Sequence, residues 1–452
     1  MLQDAWVVDM ERKLDESEPS AKTEKWPKHS IFRVPPRFKM VHGRGEASIY
    51  MPQTVALGPF HHDNDGLKPM EEHKMRAVRH LLQRAQRTIG ELVKSMEEVA
   101  QDLEDAYMDL GDEWRGENRV KFLEMMIADG CFLLEVMREE DSRKDYVNSD
   151  PIFSKKGVRH VQSFVQRDML MLENQLPLKV LQRIVAVETG KPPSDGDVVI
   201  NNILLKFLCT ENWDPRVASN GLGLHPLDLY RRSLLKWPGP VHRGVAGILG
   251  RKRPPPDVPR SAQKLADAGI RFRTSRRKFQ LDDIEFKTTR TVMMPRLYLD
   301  DTTHYKYHNM MAFEAMHVRT SNDVTAFVLF MKDIIDSAED VAHLRRKRII
   351  VHDLADDDAA VVKMFNTLTK DVPKYGDSRL CGVREEMEDY YKKSICKSLW
   401  FVPWSFLKNK HFRSPWTFIA LVAAICLVAT DIMQTFYAVM SYEVAKTSLQ
   451  AH

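Results

Sequence analysis

The stretch VRHVQSFVQRDMLMLENQLPLKVLQRIVAVE, Val158–Glu188, reads as two helical arms that meet at Pro177. Proline has no N–H to give and its ring crowds the preceding turn, so the run is kinked or broken there. Three polar residues, Glu173, Asn174 and Gln175, sit in the apolar run just before the break. A break strands backbone N–H and C=O groups that need partners. The trio is therefore expected to hydrogen-bond across it. The competing reading is catalytic, an unrecognised enzyme site around Glu173 and His73.

Helical patterning continues on both sides. Upstream, Met75, Val78, Leu82, Ala85, Ile89, Leu92, Met96, Val99 and Leu103 recur in steps of three and four, which predicts one long helix from near Pro69. Such a stripe faces the core of an intramolecular bundle; alternatively it is the seam of a homo-oligomer over residues 75–103. RVKFLEMMIADGCFLLEVM predicts a helix with an apolar face, and Gly130 in it predicts close helix packing. Residues 238–260, with WPGPV and RKRPPPDVP, read as a loop. Broken alternation through Leu281, Ile284 and Phe286 predicts a small antiparallel β element near 270–299. Helices then resume, and the three Asp of ADDDAAVVKMF suit a helix N-terminus. Residues 1–28 are polar and aperiodic and are expected to be disordered.

SPWTFIALVAAICLVATDIMQTFYAVM, Ser414–Met440, is the most apolar run in the chain. Trp416 to Met440 would make about 37 Å of helix, against a hydrocarbon core of about 30 Å. Ten Leu, Ile, Phe and Val residues, among them Phe418, Leu421, Ile425 and Val428, together favour insertion by about 3–6 kcal/mol. Asp431 opposes it by at most about 3.5 kcal/mol. Trp416 at one end and Tyr437 towards the other resemble an interfacial aromatic belt. A single span over 414–442 is thus expected, after an aromatic and basic segment at 401–413 and before a tail at 443–452. Lys408, Lys410 and Arg413 precede it and only Lys446 follows closely, which predicts a cytosolic body. A span so placed implies largely post-translational insertion.

Composition bounds the rest. The chain has 452 residues, 43% apolar and 29% charged, enough for a large core with a watered surface. Its net charge of +4 points to no nucleic-acid partner. Yet Val241–Gln280 holds eleven Lys/Arg against two Asp, a local +9. Within it Arg271, Arg273, Arg276, Arg277 and Lys278 form a candidate contact for lipid headgroups or a protein partner; the plainer alternative is a solvated hairpin tip. Five scattered cysteines suggest neither a disulfide framework nor zinc, and no N-x-Ser/Thr sequon or secretory leader is present, which suits a reducing, cytosolic setting. His61-His62-Asp63 lie too close in sequence to converge on one ion without distant partners. No P-loop, GxGxxG, GxSxG or HExxH occurs, so no cofactor, metal or catalytic residue is assigned.

PMEEHKMR, MLMLENQLPLKVL, SAQKLADAGIRF, MPRLYLDD, MMAFE and DIIDSAEDVAHLRRKRIIV occur in that order. Over residues 29–442 the chain resembles the plant family known as domain of unknown function 247, uncharacterised membrane-associated proteins. The resemblance implies a mostly helical body, one family domain over about 29–400, with a single C-terminal span. No catalytic residues are established for that family. Some members are proposed as pollen-side determinants of grass self-incompatibility, which would make this a recognition protein with an unknown protein partner. Arg348 stands where the motif usually carries glycine, Asp431 stands in a span usually uncharged, and 241–260 matches no family motif. The expectation is a mainly α, non-enzymatic protein held to a membrane by one helix and acting in recognition or signalling.

Overall fold

The computed structural model describes residues 2–17, 26–40, 47–209, 213–235, 261–275, 280–354, 357–370, 372–373, 379–398 and 415–449. Helices dominate them, with two small sheets. The centre of the N-terminal half is the Arg119–Met137 helix, buried at fifteen of its nineteen positions and so apolar nearly all round, where the sequence pattern predicted one apolar face. The helices Pro69–Ala85, Ile89–Glu97 and Leu178–Thr189 pack around it. Gly130 makes the last of these contacts possible. A Cβ there would lie 2.5 Å from Ile184 Cδ1 and 2.7 Å from Val180 Cγ1.

The predicted long helix over 69–103 is broken. The first segment ends at Gln86, whose φ is 53°, with Arg87 N–H bonded to the Leu82 carbonyl. Thr88 then opens a new helix through a capping box with Glu91, a Thr-x-x-Glu signal legible in the sequence. Met75 and Ile89 are exposed, whereas Leu92, Met96, Val99 and Leu103 are buried in the chain's own core. No continuous seam exists. The N-terminus also departs from expectation: residues Leu2–Ser17 are helical, with Asp9 bridging to Arg12 at 2.7 Å and Lys13 at 2.6 Å. Pairs three and four apart stabilise an exposed helix without an apolar period.

The break before Pro177 is as the sequence suggests. The Lys155–Asp168 helix stops, residues 169–177 run as buried turns, and Leu178–Thr189 begins after the proline. In the C-terminal half, strand β1 (Arg271–Thr274) pairs in parallel with β3 (Thr291–Met294), and β2 (Glu285–Lys287) pairs antiparallel with β3. The antiparallel expectation thus describes only the β2–β3 pair. β4 (Leu297–Leu299) pairs in parallel with β5 (Ile350–His352) after an excursion through the helices Thr303–Met316, Asp323–Ile334 and Ala338–Arg346. Ser337 starts the last of these, donating both N–H and O–H to Asp340 Oδ2, each at 3.0 Å.

Arg348 ends that helix at φ 58°. Its N–H bonds the Arg345 carbonyl and the Ile349 N–H reaches back to Leu344, the Schellman pattern. The same pattern closes the Ala262–Asp267 helix with Gly269 at φ 92°. An arginine in the left-handed region carries a Cβ penalty that glycine lacks. Arg348→Gly is therefore expected to stabilise the chain by about 0.5–1 kcal/mol, read as a raised denaturation midpoint; a lowered midpoint would contradict the assignment.

Candidate functional site

The densest polar cluster lies where residues 53–58 thread between helices. Val55, Ala56 and Leu57 are at most 1% exposed yet belong to no sheet, so their backbone groups need side-chain partners. Asp168, the last residue of its helix, accepts N–H bonds from Gln53 (3.0 Å), Thr54 (2.7 Å) and Val55 (3.0 Å). Asn174 accepts from Leu57 N–H at 2.7 Å and donates to the Val55 and Asp168 carbonyls. Asp129 accepts from Gly58 N–H at 2.7 Å, and the buried Lys74 donates to the Ala56 carbonyl while pairing with Asp129 at 2.6 Å and Glu71 at 2.5 Å. Gly58 is at φ 71° with no room for a side chain, since a Cβ would meet the Tyr107 hydroxyl at 2.6 Å and the Gln175 carbonyl at 2.8 Å.

Gln175 ties the break to the next layer. Its Nε2 donates to the Met169 and Met171 carbonyls, and its Oε1 accepts from Leu227 N–H and faces His225 Nδ1, both at 3.0 Å. Glu173 accepts from Val34 N–H at 2.7 Å, pairs with Lys39 at 2.7 Å and lies 3.5 Å from His61. Burial works to raise its carboxyl, but hydrogen bonds from His61 and Lys39 outweigh that and hold it below the usual carboxylate range. Asn174 and Gln175 bond across the break, the role expected of them, whereas Glu173 bonds instead to the N-terminal segment that packs over it. His73 is not brought into this set. Its ring contacts Arg76, which binds Asp150, and burial lowers its pKa, with Arg76 adding to the effect. Glu71 and Glu72 occupy the first turn of their helix, where the helix dipole favours them. His62 stacks edge-on against Trp114. Among the described residues no group of three or more His, Cys, Asp or Glu is placed to hold a metal.

The basic candidates fall differently. Arg271 and Arg273 lie on β1 and line an open groove of about 620 Å³, whose facing wall is Arg346, Lys347 and Arg348 with His343. Burial lowers the His343 pKa, and Lys347 and Arg346 push it further, as in a positive local field. Sequence reading missed this second wall although RRKR stands plainly at 345–348, because nothing local joins it to β1. Arg276, Arg277 and Lys278 lie outside the described residues, as does the 238–260 loop.

The C-terminal stretch forms one helix, Pro415–Leu449, longer than the run predicted to span. Trp416, Phe418 and Leu421 lie on its backbone, and Ala423–Ser441 has a mean hydropathy of 1.5 with no buried residue. Ile425, Val428, Phe436 and Tyr437 are all exposed, and Asp431 is exposed with them. By length and composition this helix can cross a membrane. The flanking Lys408, Lys410 and Arg413 lie outside the described residues.

No solved structure matches the chain. UPF0481 protein At3g47200 of Arabidopsis thaliana is 29% identical over 433 residues, 91% of this chain and 86% of that protein. Putative UPF0481 protein At3g02645, also of Arabidopsis thaliana, is 22% identical over 529 residues, 96% and 95% of the two chains. The model of the DUF247 family, described as plant protein of unknown function, matches residues 31–430. The chain therefore belongs to the DUF247 family of plant proteins of unknown function.

Proposed function

We propose that this protein is a single-pass, membrane-tethered recognition module whose body lies in the cytosol and acts by binding rather than catalysis. The observation that carries the reading is the C-terminal helix, whose apolar side chains are exposed all along Ala423–Ser441. A surface of that kind is stable in lipid and costly in water. The cytosolic placement follows the flanking charge of the sequence. Glu173 supports binding over catalysis, since the chain's own backbone, lysine and histidine surround its carboxylate. The groove between β1 and Arg346–Arg348 supplies the recognition surface, and its five cations suit an acidic protein partner or anionic headgroups. Reproductive self-recognition, suggested for some relatives, is the process this module would serve.

Affinity capture from plant membranes tests the reading. The tagged full chain should retain a reproducible partner that is lost when Arg271 and Arg273 are both changed to Glu, with the fold and membrane fraction unchanged. Capture that is empty, or that survives the double substitution, would count against it.

A further inference from the structure

Leu170, Cys209, Tyr230, Arg296 and Lys306 come from separate parts of the chain and face one cavity of about 320 Å³. That size is at the lower end of small-molecule sites, roughly 300–1,000 Å³. Most of the wall is apolar or aromatic, and Trp213 contributes to it. Lys306, on the Thr303–Met316 helix, is half-buried with its ammonium 5.9 Å from the centre of the Tyr230 ring. No carboxylate among the described residues reaches ion-pair distance of that ammonium. The acidic wall residue is Asp300, whose Oδ1 already accepts from Thr302 N–H (3.0 Å), Thr302 O–H (2.6 Å) and Thr303 O–H (2.9 Å). Arg296 has the Tyr298 hydroxyl at 3.4 Å. Two cations against one carboxylate leave the cavity with one net positive charge. A half-buried cation without a close ion pair is costly, and burial lowers the Lys306 pKa, with the Asp300 and Cys209 charges working against it.

We propose that this cavity binds a small aromatic monocarboxylate, with the carboxylate on Lys306, Arg296 lining the same space, and the ring against Tyr230 and Trp213. A single negative charge balances the site, and a flat apolar ring matches walls made mainly of aromatic and aliphatic side chains. The ligand supplies the close ion pair that Asp300, held by Thr302 and Thr303, does not make with Lys306. This site stands apart from the basic groove and does not depend on the recognition reading.

Calorimetric titration of the full chain in lipid nanodiscs tests it, with phenylacetate, 3-phenylpropanoate and 4-phenylbutanoate as probes and their neutral amides as controls. At least one carboxylate should bind, and its amide should bind about tenfold or more weakly, the scale of one lost charge-assisted hydrogen bond. Lys306→Met should bring the carboxylate down to the level of the amide and leave the amide unchanged; Lys306→Arg should restore part of the difference. Ser163→Trp, at an exposed position lining the cavity, should block both ligands. Binding by none of the three carboxylates, equal binding of acid and amide, or an unaffected Lys306→Met would each overturn the proposal. Should Lys306→Met fail to fold, the acid–amide comparison on the unaltered chain and Ser163→Trp decide it.

Discussion

Asp168→Ala is expected to cost the body about 3–5 kcal/mol of stability, a large share of the roughly 5–15 kcal/mol that holds a folded protein together. The alanine removes the acceptor of three consecutive backbone N–H groups, those of Gln53, Thr54 and Val55. A buried donor left without a partner costs about 1–3 kcal/mol, and Val55 lies where water has no ready access. Denaturant titration of the full chain in detergent micelles, followed by circular dichroism, measures the loss. Asp168→Asn, which keeps one carbonyl acceptor, should fall between the alanine variant and the natural chain. A loss below about 1 kcal/mol for Asp168→Ala, the scale of a surface substitution, would show that the threaded segment is held by something else.

Acid should destabilise the same region. Complete burial holds the His225 pKa down to about 4, against the pull of the Asp228 carboxylate in the other direction. In the unfolded chain an ordinary histidine titrates near 6.5. Between about pH 6.5 and 4 the unfolded chain therefore takes up a proton that the folded chain refuses. Stability falls as pH falls through this window, by about 3 kcal/mol in total, and this contribution levels off below the folded pKa. His225→Asn keeps a polar side chain facing Gln175 Oε1 and the Asp228 N–H without a titrating group, so its stability should decline less steeply over the same window. Parallel curves for the two chains would remove His225 as the cause.

The parts of this molecule that were legible in the sequence are those whose signal is local. The apolar run before and after Asp431, the break at Pro177 and the bonding of Asn174 and Gln175 to the carbonyls just before it all follow from neighbours in the chain. The capping box at Thr88–Glu91 was equally local, and it overrides the apolar stripe that predicted a continuous helix. The acceptors of the threaded segment were out of reach of such reasoning. Asp129 lies 71 positions from Gly58, and Asn174 lies 117 from Leu57, so no period or motif ties donor to acceptor. The same holds for the second wall of the basic groove and for the cavity beside Lys306, which exist only once separate elements meet.

The helix Pro415–Leu449 is long and apolar enough to cross a membrane, and the proposed tether rests on its doing so. Extraction of plant membranes with alkaline carbonate addresses that tether most directly. The full chain should remain in the membrane pellet, and a chain ending before residue 415 should be released to the supernatant. Release of the full chain would contradict the tether and, with it, the placement of recognition at a membrane surface.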